Sequence, residues 1–317
     1  MRTVLAIDVG GSQYRLALIS EKGEITFHHR GKTQREQGAI WLIPRLIEEI
    51  EQIKSSGYNP LAIGVGFGGP VNYKAQQILA SLHAPGWDQN NLSEILSAHF
   101  NLPVTIDNDG NVGALGEYHF GAGQGVKNML YYTVSTGVGG GVILNGESWR
   151  GHHSQGAELG HLPVVFNGPI CTCGYRGCVE SICSGLSIAR QALEAVENTQ
   201  IPTSLRAILN KTGDLTAKDV FSCYYEGDKV AQQIIDYVKR VFVSGLIGAI
   251  NLFDPEVIVI GGGVGLAPGF VDGLTEQVNE QIMIPGRRQI PCVRGTLGDN
   301  SVLFGAAKLA WNSLGME

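Results

Sequence analysis

Cysteine is scarce in this sequence, with six residues in a chain of 317. So few cysteines exclude the dense disulfide framework that holds small secreted domains together. Long apolar runs are also missing: the run that opens the chain is interrupted at Asp8 and is far too short for a signal peptide or a membrane span. We therefore expect a cytoplasmic protein that does not span a membrane.

Several nucleotide and nucleic-acid signatures are lacking. The motif GxxxxGK[ST] does not occur, which excludes a P-loop. Gly64, Gly66 and Gly69 satisfy GxGxxG, but Pro70 and Val71 follow where a dinucleotide site needs a helix, so the Rossmann signal is weak. The formal net charge of −6 gives no reason to expect nucleic acid or an anionic membrane as a partner.

Glycine is abundant, with 44 residues, many of them in clusters after apolar runs. The clusters DVGGS at 8–12 and STGVGGG at 135–141 each stand between two predicted strands. Backbone N–H groups and hydroxyls at such turns can surround phosphate, and Asp8 is a carboxylate suited to a hydrated Mg²⁺. Two ordinary tight hairpins would give the same pattern, so these residues alone leave both interpretations open.

Apolar patterning predicts alternating strands and helices, and hence an α/β fold. At 317 residues the chain is long enough for two packed lobes. A strand–turn–strand unit at the start returns at 129–146, which we interpret as one architectural unit used twice. Further predicted elements are strands at 61–67, 103–107 and 256–260, and helices at 40–55, 92–100, 109–120, 229–253 and 301–313.

Three of the six cysteines cluster in the stretch GHLPVVFNGPICTCGYRGCVE. Cys171, Cys173 and Cys178, together with His161, make a Cys₃His set, which is a common composition of structural zinc sites. In a chain without secretory features, clustered cysteines favour a metal or a catalytic role over disulfides. The alternative is a group of buried small side chains that never meet a metal.

Two acidic residues stand at informative positions. Asp109 follows a predicted strand and begins a helix, so it is either a helix N-cap or a base that takes the proton of an attacking hydroxyl. Glu158 precedes His161 by three residues, and on a helical turn the two would share one face. An imidazole bound to a metal keeps its second nitrogen for a hydrogen bond, which could reach a substrate hydroxyl.

Together these motifs resemble one family, the ROK (repressor, open reading frame, kinase) sugar kinases of the actin-like ATPase superfamily. The resemblance covers nearly the whole chain. Its most specific part is ELGHLPVVFNGPICTCGYRGCVESICSG, which matches E-x-G-H and C-x-C-G-x-x-G-C-x-E at every fixed position. The resemblance implies transfer of the γ-phosphoryl group of ATP to a sugar hydroxyl, on C6 as we expect, in a cleft between two lobes.

The same resemblance implies a two-lobed, actin-like (ribonuclease H-like) α/β fold with a zinc knuckle at 161–180. The small lobe would comprise 1–112, with a C-terminal helix at about 301–317 packed back on it, and the large lobe would comprise 113–300. A homodimer is expected, and the partners are the sugar and ATP, with no nucleic acid and no membrane.

Carried over position by position, the family roles are as follows. Asp109 would be the catalytic base, and Gly69, Asn108, Asp109, Glu158, His161 and Glu180 would bind the sugar. ATP, with catalytic Mg²⁺, would contact Asp8, Gly10, Gly11, Ser12, Thr136, Gly137, Gly139, Gly261, Gly262 and Gly263. Structural Zn²⁺ would be held by His161, Cys171, Cys173 and Cys178.

The sequence departs from the family pattern in two loops. The first phosphate turn of the family usually reads GGT-K, and here Ser12–Gln13 follow the two glycines, so that the hydroxyl is kept and the lysine is missing. In the glycine-proline segment, Gly68 replaces a proline and Asn72 replaces an aspartate. Glucokinase is the leading expectation, and kinases of N-acetylmannosamine, N-acetylglucosamine or fructose are alternatives. A non-catalytic sugar-sensing regulator is less expected, because the first strand begins near residue 3 and leaves no room ahead of it for a DNA-binding domain.

Overall fold

The structure is a computed structural model that describes residues 1–81, 84–88, 90–283 and 289–315. These residues form two five-stranded mixed β-sheets and a short hairpin, with helices on the faces of the sheets. The strands are β1 Thr3–Val9, β2 Gln13–Ser20, β3 Ile25–Lys32, β4 Ile63–Phe67, β5 Val71–Asn72, β6 Gln77–Ile78, β7 Val104–Asn108, β8 Met129–Val134, β9 Val138–Leu144, β10 Glu147–Ser148, β11 Val257–Gly261 and β12 Cys292–Arg294. The helices are α1 Gly38–Ser55, α2 Leu92–Phe100, α3 Asp109–Phe120, α4 Glu180–Cys183, α5 Gly185–Asn198, α6 Ser204–Thr212, α7 Ala217–Tyr225, α8 Lys229–Phe253, α9 Leu274–Gln281 and α10 Ser301–Ser313, with 3₁₀ turns at Leu159–His161 and Gly298–Asn300.

The two sheets share one connectivity. Their strand orders are β3-β2-β1-β4-β7 and β10-β9-β8-β11-β12. In each sheet the first three strands along the chain form an antiparallel meander, and the last two add in parallel beside the first strand. The repeated strand–turn–strand unit read from the sequence is therefore part of a larger unit that the chain uses twice.

Each sheet is buried on both faces, which explains the nearly continuous apolar runs of its central strands. On the first sheet Leu5 packs in a cluster with Leu42 of α1, while Ala6 lies in a separate cluster with Ala306 of α10. On the second sheet Tyr132 belongs to the core formed with α5 to α9, and its neighbour Tyr131 faces α3.

Helices α3 and α10 join the two sheets through a close backbone contact. A methyl group on Gly305 would lie 1.7 Å from the carbonyl oxygen of Val112, and one on Gly116 would lie 2.1 Å from that of Ser301. Only glycine permits this approach, so the sequence requirement at both positions is steric. The N-terminus of α3 follows β7 of the first sheet, and a methyl group on Gly110 there would lie 2.2 Å from the carbonyl oxygen of Gly140 in β9 of the second sheet.

Most predicted elements are observed within two residues of the expected bounds, and α2 and α8 have the expected bounds. The closing helix, predicted at 301–313, is α10 with the same bounds; the segment of about 301–317 assigned to the small lobe extends to positions 316 and 317, which lie outside the described residues. Strand β3 was not predicted, because it is an edge strand with few buried side chains. Among the described helices none combines the length and apolar character needed to cross a bilayer.

Candidate active site

Strands β1, β4 and β7 of the first sheet end at the same level. The predicted residues that follow these strands therefore lie close together. Val9 of β1 pairs with Phe67 of β4, which pairs with Asn108 of β7. Beyond these ends the Gly68 N–H donates to the Val9 carbonyl over 2.9 Å, and the Asn108 side chain donates to the Gly69 carbonyl over 3.0 Å. The glycine turn, the Gly68–Gly69 loop and the start of α3 are thereby held together.

Asp109 lies at this junction, with its carboxylate free of the capping role. The N-cap of α3 is Asn108, whose Oδ1 accepts the N–H groups of Gly110 and Asn111. The Asp109 side chain instead faces the loop, where a methyl group added to Gly68 would lie 3.5 Å from its Oδ2. Of the two roles left open for Asp109, the cap is therefore filled by its neighbour.

The environment of Asp109 favours its protonated form. Burial, followed by the negative charges of Asp8 and Glu158, raises the pKa of Asp109 to about 7. A carboxyl group with this pKa is close to half ionised at neutral pH, which suits a group that must accept a proton. The two charges that raise the pKa come from different parts of the chain, Asp8 from β1 and Glu158 from the residue before the 3₁₀ turn at Leu159–His161.

The first glycine turn, Gly10–Ser12, is partly open to solvent, whereas Asp8 beneath it is buried. The Gly10 N–H donates to Gln13 O over 3.0 Å and closes the turn. Burial raises the pKa of Asp8, although Arg15, whose Nε lies 2.8 Å from Asp8 Oδ2, opposes this shift. One oxygen of the carboxylate predicted to hold hydrated Mg²⁺ is therefore already bound to a guanidinium.

The second turn, Ser135–Gly137, connects β8 and β9 and leaves Thr136 exposed. Glu180 of α4 supports it: its Oε2 accepts the Val138 N–H over 3.0 Å and its Oε1 accepts the Thr172 hydroxyl over 2.8 Å. Glu180 was expected to bind sugar, and its observed contacts are with this turn and with the cysteine segment.

The glycine cluster after β11 lies beside the second turn. Val264 N–H donates to Val134 O over 2.9 Å. Gly262 has φ +80°, and a methyl group there would lie 2.4 Å from the same oxygen, so the position requires glycine. Gly185, the first residue of α5, donates to Ser135 O over 2.7 Å. The predicted nucleotide residues Gly139 and Gly261 to Gly263 thus adjoin Thr136 and Gly137, while Asp8 and Gly10 to Ser12 belong to the other sheet.

The predicted zinc residues form one compact cluster. The ligand atoms of His161, Cys171, Cys173 and Cys178 all lie within 4.8 Å of one another. The Cys173 and Cys178 sulfurs are 3.7 Å apart, and His161 Nδ1 is 3.5 Å from the Cys171 sulfur. Tetrahedral zinc with Zn–S bonds of about 2.3 Å requires sulfurs roughly 3.8 Å apart. The donor set and its spacing therefore fit a zinc ion.

The charge of Glu158 acts on Asp109, and Glu158 is itself close to His161 of the Cys₃His cluster. It precedes the 3₁₀ turn Leu159–His161, and its carbonyl accepts the His161 N–H over 3.0 Å. Desolvation by its surroundings raises the pKa of Glu158, His161 lowers it and Glu180 raises it. These acids and the imidazole therefore lie within electrostatic range of one another.

Comparison with known proteins identifies the family. The sequence model of the ROK family matches residues 4–313. The chain belongs to the ROK family. It is 31% identical to a glucokinase of Thermotoga maritima over 98% of both chains. Among solved structures it is similar to the ROK hexokinase of Thermus thermophilus, with a TM-score of 0.84, 32% identity and coverage of 99% and 100% of the two chains.

A second solved ROK structure contains ligands. It is the ROK glucokinase of Streptomyces griseus in complex with glucose and AMPPNP, which has a TM-score of 0.83 and 27% identity over 98% of this chain and 99% of that one. Its similarity covers both sheets and the cysteine segment of the present chain.

Two arginines of this ROK chain were missed by sequence reasoning. Arg15 lies directly opposite Asp8 in the β1–β2 register and is buried with it. Arg150 follows β10 and binds Asp107, two residues before Asp109. An arginine directly before the apolar run LALI of strand β2 could have been recognised from the sequence, because a buried guanidinium needs an acidic partner. Nothing in the local pattern around Arg150 indicated its partner.

Proposed function

We propose that this ROK protein is an ATP-dependent sugar kinase, with glucose as the leading substrate. The observation that carries the proposal is the placement of Asp109. Its carboxylate is free of the cap role, lies beside the first glycine turn, and is within electrostatic range of Glu158 next to the Cys₃His cluster. A sugar between these groups would meet a base on one side and hydroxyl-binding acids on the other.

In the proposed reaction Asp109 accepts the proton of a sugar hydroxyl, on C6, as that oxygen attacks the γ-phosphorus of ATP and ADP leaves. In phosphoryl transfer the protein contributes mainly by positioning the reacting groups and by stabilising the charge on the transferred phosphoryl group. Gly69 and Asn108 hold the loop next to the base, and Glu158, His161 and Glu180 are the proposed contacts of the other hydroxyls.

The two glycine turns are the proposed phosphate sites. Gly10, Gly11 and Ser12 come from the first sheet, and Thr136, Gly137 and Gly139 come from the second, with Gly261, Gly262 and Gly263 at the adenosine. Mg²⁺ would neutralise charge on the phosphates, and Asp8 is the oxygen donor beside the first turn that fits a hydrated cation. Binding across both turns would bring the two sheets together over the sugar and exclude water.

Zinc is proposed for the Cys₃His cluster as a structural ion. Bound through Nδ1, His161 would keep Nε2 for a substrate hydroxyl, and the folded knuckle would hold Glu180 against the second turn. We also propose two actin-like lobes, 1–112 with the C-terminal helix and 113–300, as well as a homodimer in the cytoplasm. The separate cores of the two sheets support the division into lobes.

A substrate panel tests the function. Purified protein with ATP and Mg²⁺ is offered glucose, fructose, mannose, N-acetylmannosamine and N-acetylglucosamine, and ADP release is ranked by kcat/KM. We expect glucose to rank first and ATP hydrolysis without sugar to be very slow. If no sugar stimulates ADP release although calorimetry shows that one binds, a non-catalytic sugar sensor replaces the kinase.

A further inference from the structure

The guanidinium of Arg150 contacts three separate segments of the chain. Its Nε donates to Asp107 Oδ2 over 2.6 Å, and its Nη1 donates to Ser148 O over 3.1 Å. Its central carbon lies 3.7 Å from the centroid of the Tyr73 ring. Arg150 follows β10 of the second sheet, whereas Asp107 lies in β7 of the first sheet and Tyr73 lies in the short β5–β6 hairpin. The side chain therefore bridges the two sheets.

The Asp107 end of this bridge reaches the proposed base. Asp107 has a side-chain exposure of only 2%. While Oδ2 accepts from Arg150, Oδ1 accepts the Asn108 N–H over 2.8 Å and the Asn111 side-chain amide over 3.3 Å. The carboxylate thus holds Asn108, which precedes Asp109, and Asn111, which lies two residues after it in the first turn of α3.

The Tyr73 end reaches the loop that contains Gly69. Tyr73 lies in the hairpin formed by β5 and β6, directly after that loop. Gln76 of the same hairpin donates to Tyr73 O and accepts the Ile106 N–H of β7 over 2.7 Å. The hairpin and β7 are therefore joined twice, once by Gln76 and once by Arg150.

The backbone of Arg150 belongs to the third segment. Its carbonyl accepts the Gly156 N–H over 2.8 Å, which closes the loop leading to Glu158 and His161. Each of the three segments that meet at Arg150 thus carries a proposed sugar contact: Gly69, Asp109 and Glu158.

We propose that Arg150 is a positioning residue that fixes these three segments relative to one another and so shapes the sugar side of the active site. The inference rests on the proposed kinase function. Arginine suits this task because its planar group can stack on the Tyr73 ring while it donates to Asp107 in the same plane. Arg150 itself is not placed at the reacting atoms.

The central test is Arg150→Gln, assayed with the best sugar of the panel. A displacement of about 1 Å between reacting groups can lower the rate about 10²-fold. We expect kcat to fall on the order of 10- to 100-fold and KM for the sugar to rise on the order of 10-fold, with KM for ATP within about twofold of wild type. Arg150→Lys, which keeps the charge but not the planar stack, should recover only part of the loss.

A second variant separates positioning from simple neutralisation of Asp107. Arg150→Gln leaves a buried carboxylate without its cation and can destabilise the fold, whereas Asp107→Asn combined with Arg150→Gln leaves no buried charge. If Arg150 acts by positioning, the double variant folds but keeps the raised sugar KM. Wild-type kcat and KM in the double variant would overturn the proposal, as would an Arg150→Gln protein with lowered thermal stability and unchanged kinetics.

Arg206→Gln is the matched control, because Arg206 is exposed, its guanidinium donates to Val196 O and Thr199 O at the end of α5, and the change should alter neither kcat nor KM. Sugar affinity is also measured by calorimetry. A wild-type protein that binds sugar without phosphorylating it refutes the kinase function. In that case the affinity of Arg150→Gln still decides on Arg150: about tenfold weaker binding supports positioning, and equal binding refutes it.

Discussion

The carboxylate of Glu180 lies 3.0 Å from the backbone nitrogen of Val138 and accepts its hydrogen bond. The second oxygen of the same carboxylate accepts the Thr172 hydroxyl. One side chain therefore joins the turn proposed for ATP phosphate to the segment proposed for zinc. Because the proposed sugar and nucleotide sites both depend on the Glu180 side chain, its removal should weaken the binding of both substrates.

Glu180→Ala is expected to raise KM for the sugar and KM for ATP, each on the order of tenfold. The sugar loses a proposed contact, and the second turn loses the acceptor that fixes Val138. Steady-state kinetics with each substrate varied in turn measures both values. Thr172→Val is the control: it removes the neighbouring hydroxyl but leaves the Val138 bond, so KM for ATP should not change. A Glu180→Ala enzyme with wild-type KM for ATP would show that the turn does not need this bond.

Asp109→Asn is expected to lower kcat by about 10²–10⁴-fold, the usual contribution of a general base. Asparagine has nearly the same shape but cannot take the proton, so sugar binding should persist. Turnover and calorimetric sugar affinity are the two measurements. Near-wild-type kcat would remove Asp109 from the chemistry, whereas loss of sugar binding alone would make it a binding residue.

The pH dependence of catalysis follows from the pKa of about 7 at Asp109. Since the base works in its ionised form, kcat/KM for the sugar should fall about tenfold per pH unit below roughly pH 7 and level off above it. Asp109→Asn should remove this limb from its residual activity. A profile that stays flat between pH 5.5 and 8 would contradict the assignment.

Asp109 should also affect stability in a pH-dependent way. Its folded-state pKa is raised from 3.8 to about 7, so its favourable contribution is present below about pH 4 and is lost as the pH rises through 7. Asp109→Asn should therefore unfold at a higher temperature than wild type at pH 8, and the gain should shrink at pH 5. Calorimetric scans at the two pH values measure it, and an equal difference at both would contradict the prediction.

Sequence alone placed most elements because apolar periodicity and helix ends are local signals. It could not assign the α3 cap, because Asn108 and Asp109 are both good N-cap residues and only the backbone geometry distinguishes them. Strand β3 could not be predicted because its ITFHHRGK segment buries few side chains and so lacks an apolar pattern. Its position is set by pairing with β2, which is a contact between strands.

The candidate site was predictable where chemistry follows spacing along the chain, as for Cys171, Cys173 and Cys178. Contacts across the fold were not. The pairing of Arg15 with Asp8 depends on strand register, and that of Arg150 with Asp107 depends on how the two sheets meet. Neither geometry is a property of a short sequence window.

Cys173→Ser tests the metal. Loss of one thiolate from a closed Cys₃His site should lower zinc content from one ion per chain to a small fraction, measured by atomic emission on the purified protein. Sugar affinity and thermal stability should fall together, because His161 lies in the cluster and Glu180 is anchored beside it. Cys223→Ser is the control, since this buried cysteine lies outside the cluster and should not change the zinc content. Native protein that contains no zinc would refute the structural ion.

Glu117 offers a test of the junction between the sheets. It is fully buried in α3, where Oε1 accepts Leu297 N–H and the Ser301 hydroxyl, and Oε2 accepts Ala122 N–H and Thr296 N–H. In Glu117→Gln one side-chain oxygen remains and can still accept from one pair of donors. The other oxygen becomes an NH₂ group, which cannot accept, so the second pair of donors loses its partner. Because each unsatisfied buried donor costs about 1–3 kcal/mol and two donors face the amide, we expect a loss of roughly 2–6 kcal/mol in the free energy of unfolding, measured by chemical denaturation. The same change at exposed Glu194 should cost less than about 1 kcal/mol, and equal losses at the two positions would show that the four donors at Glu117 find other partners.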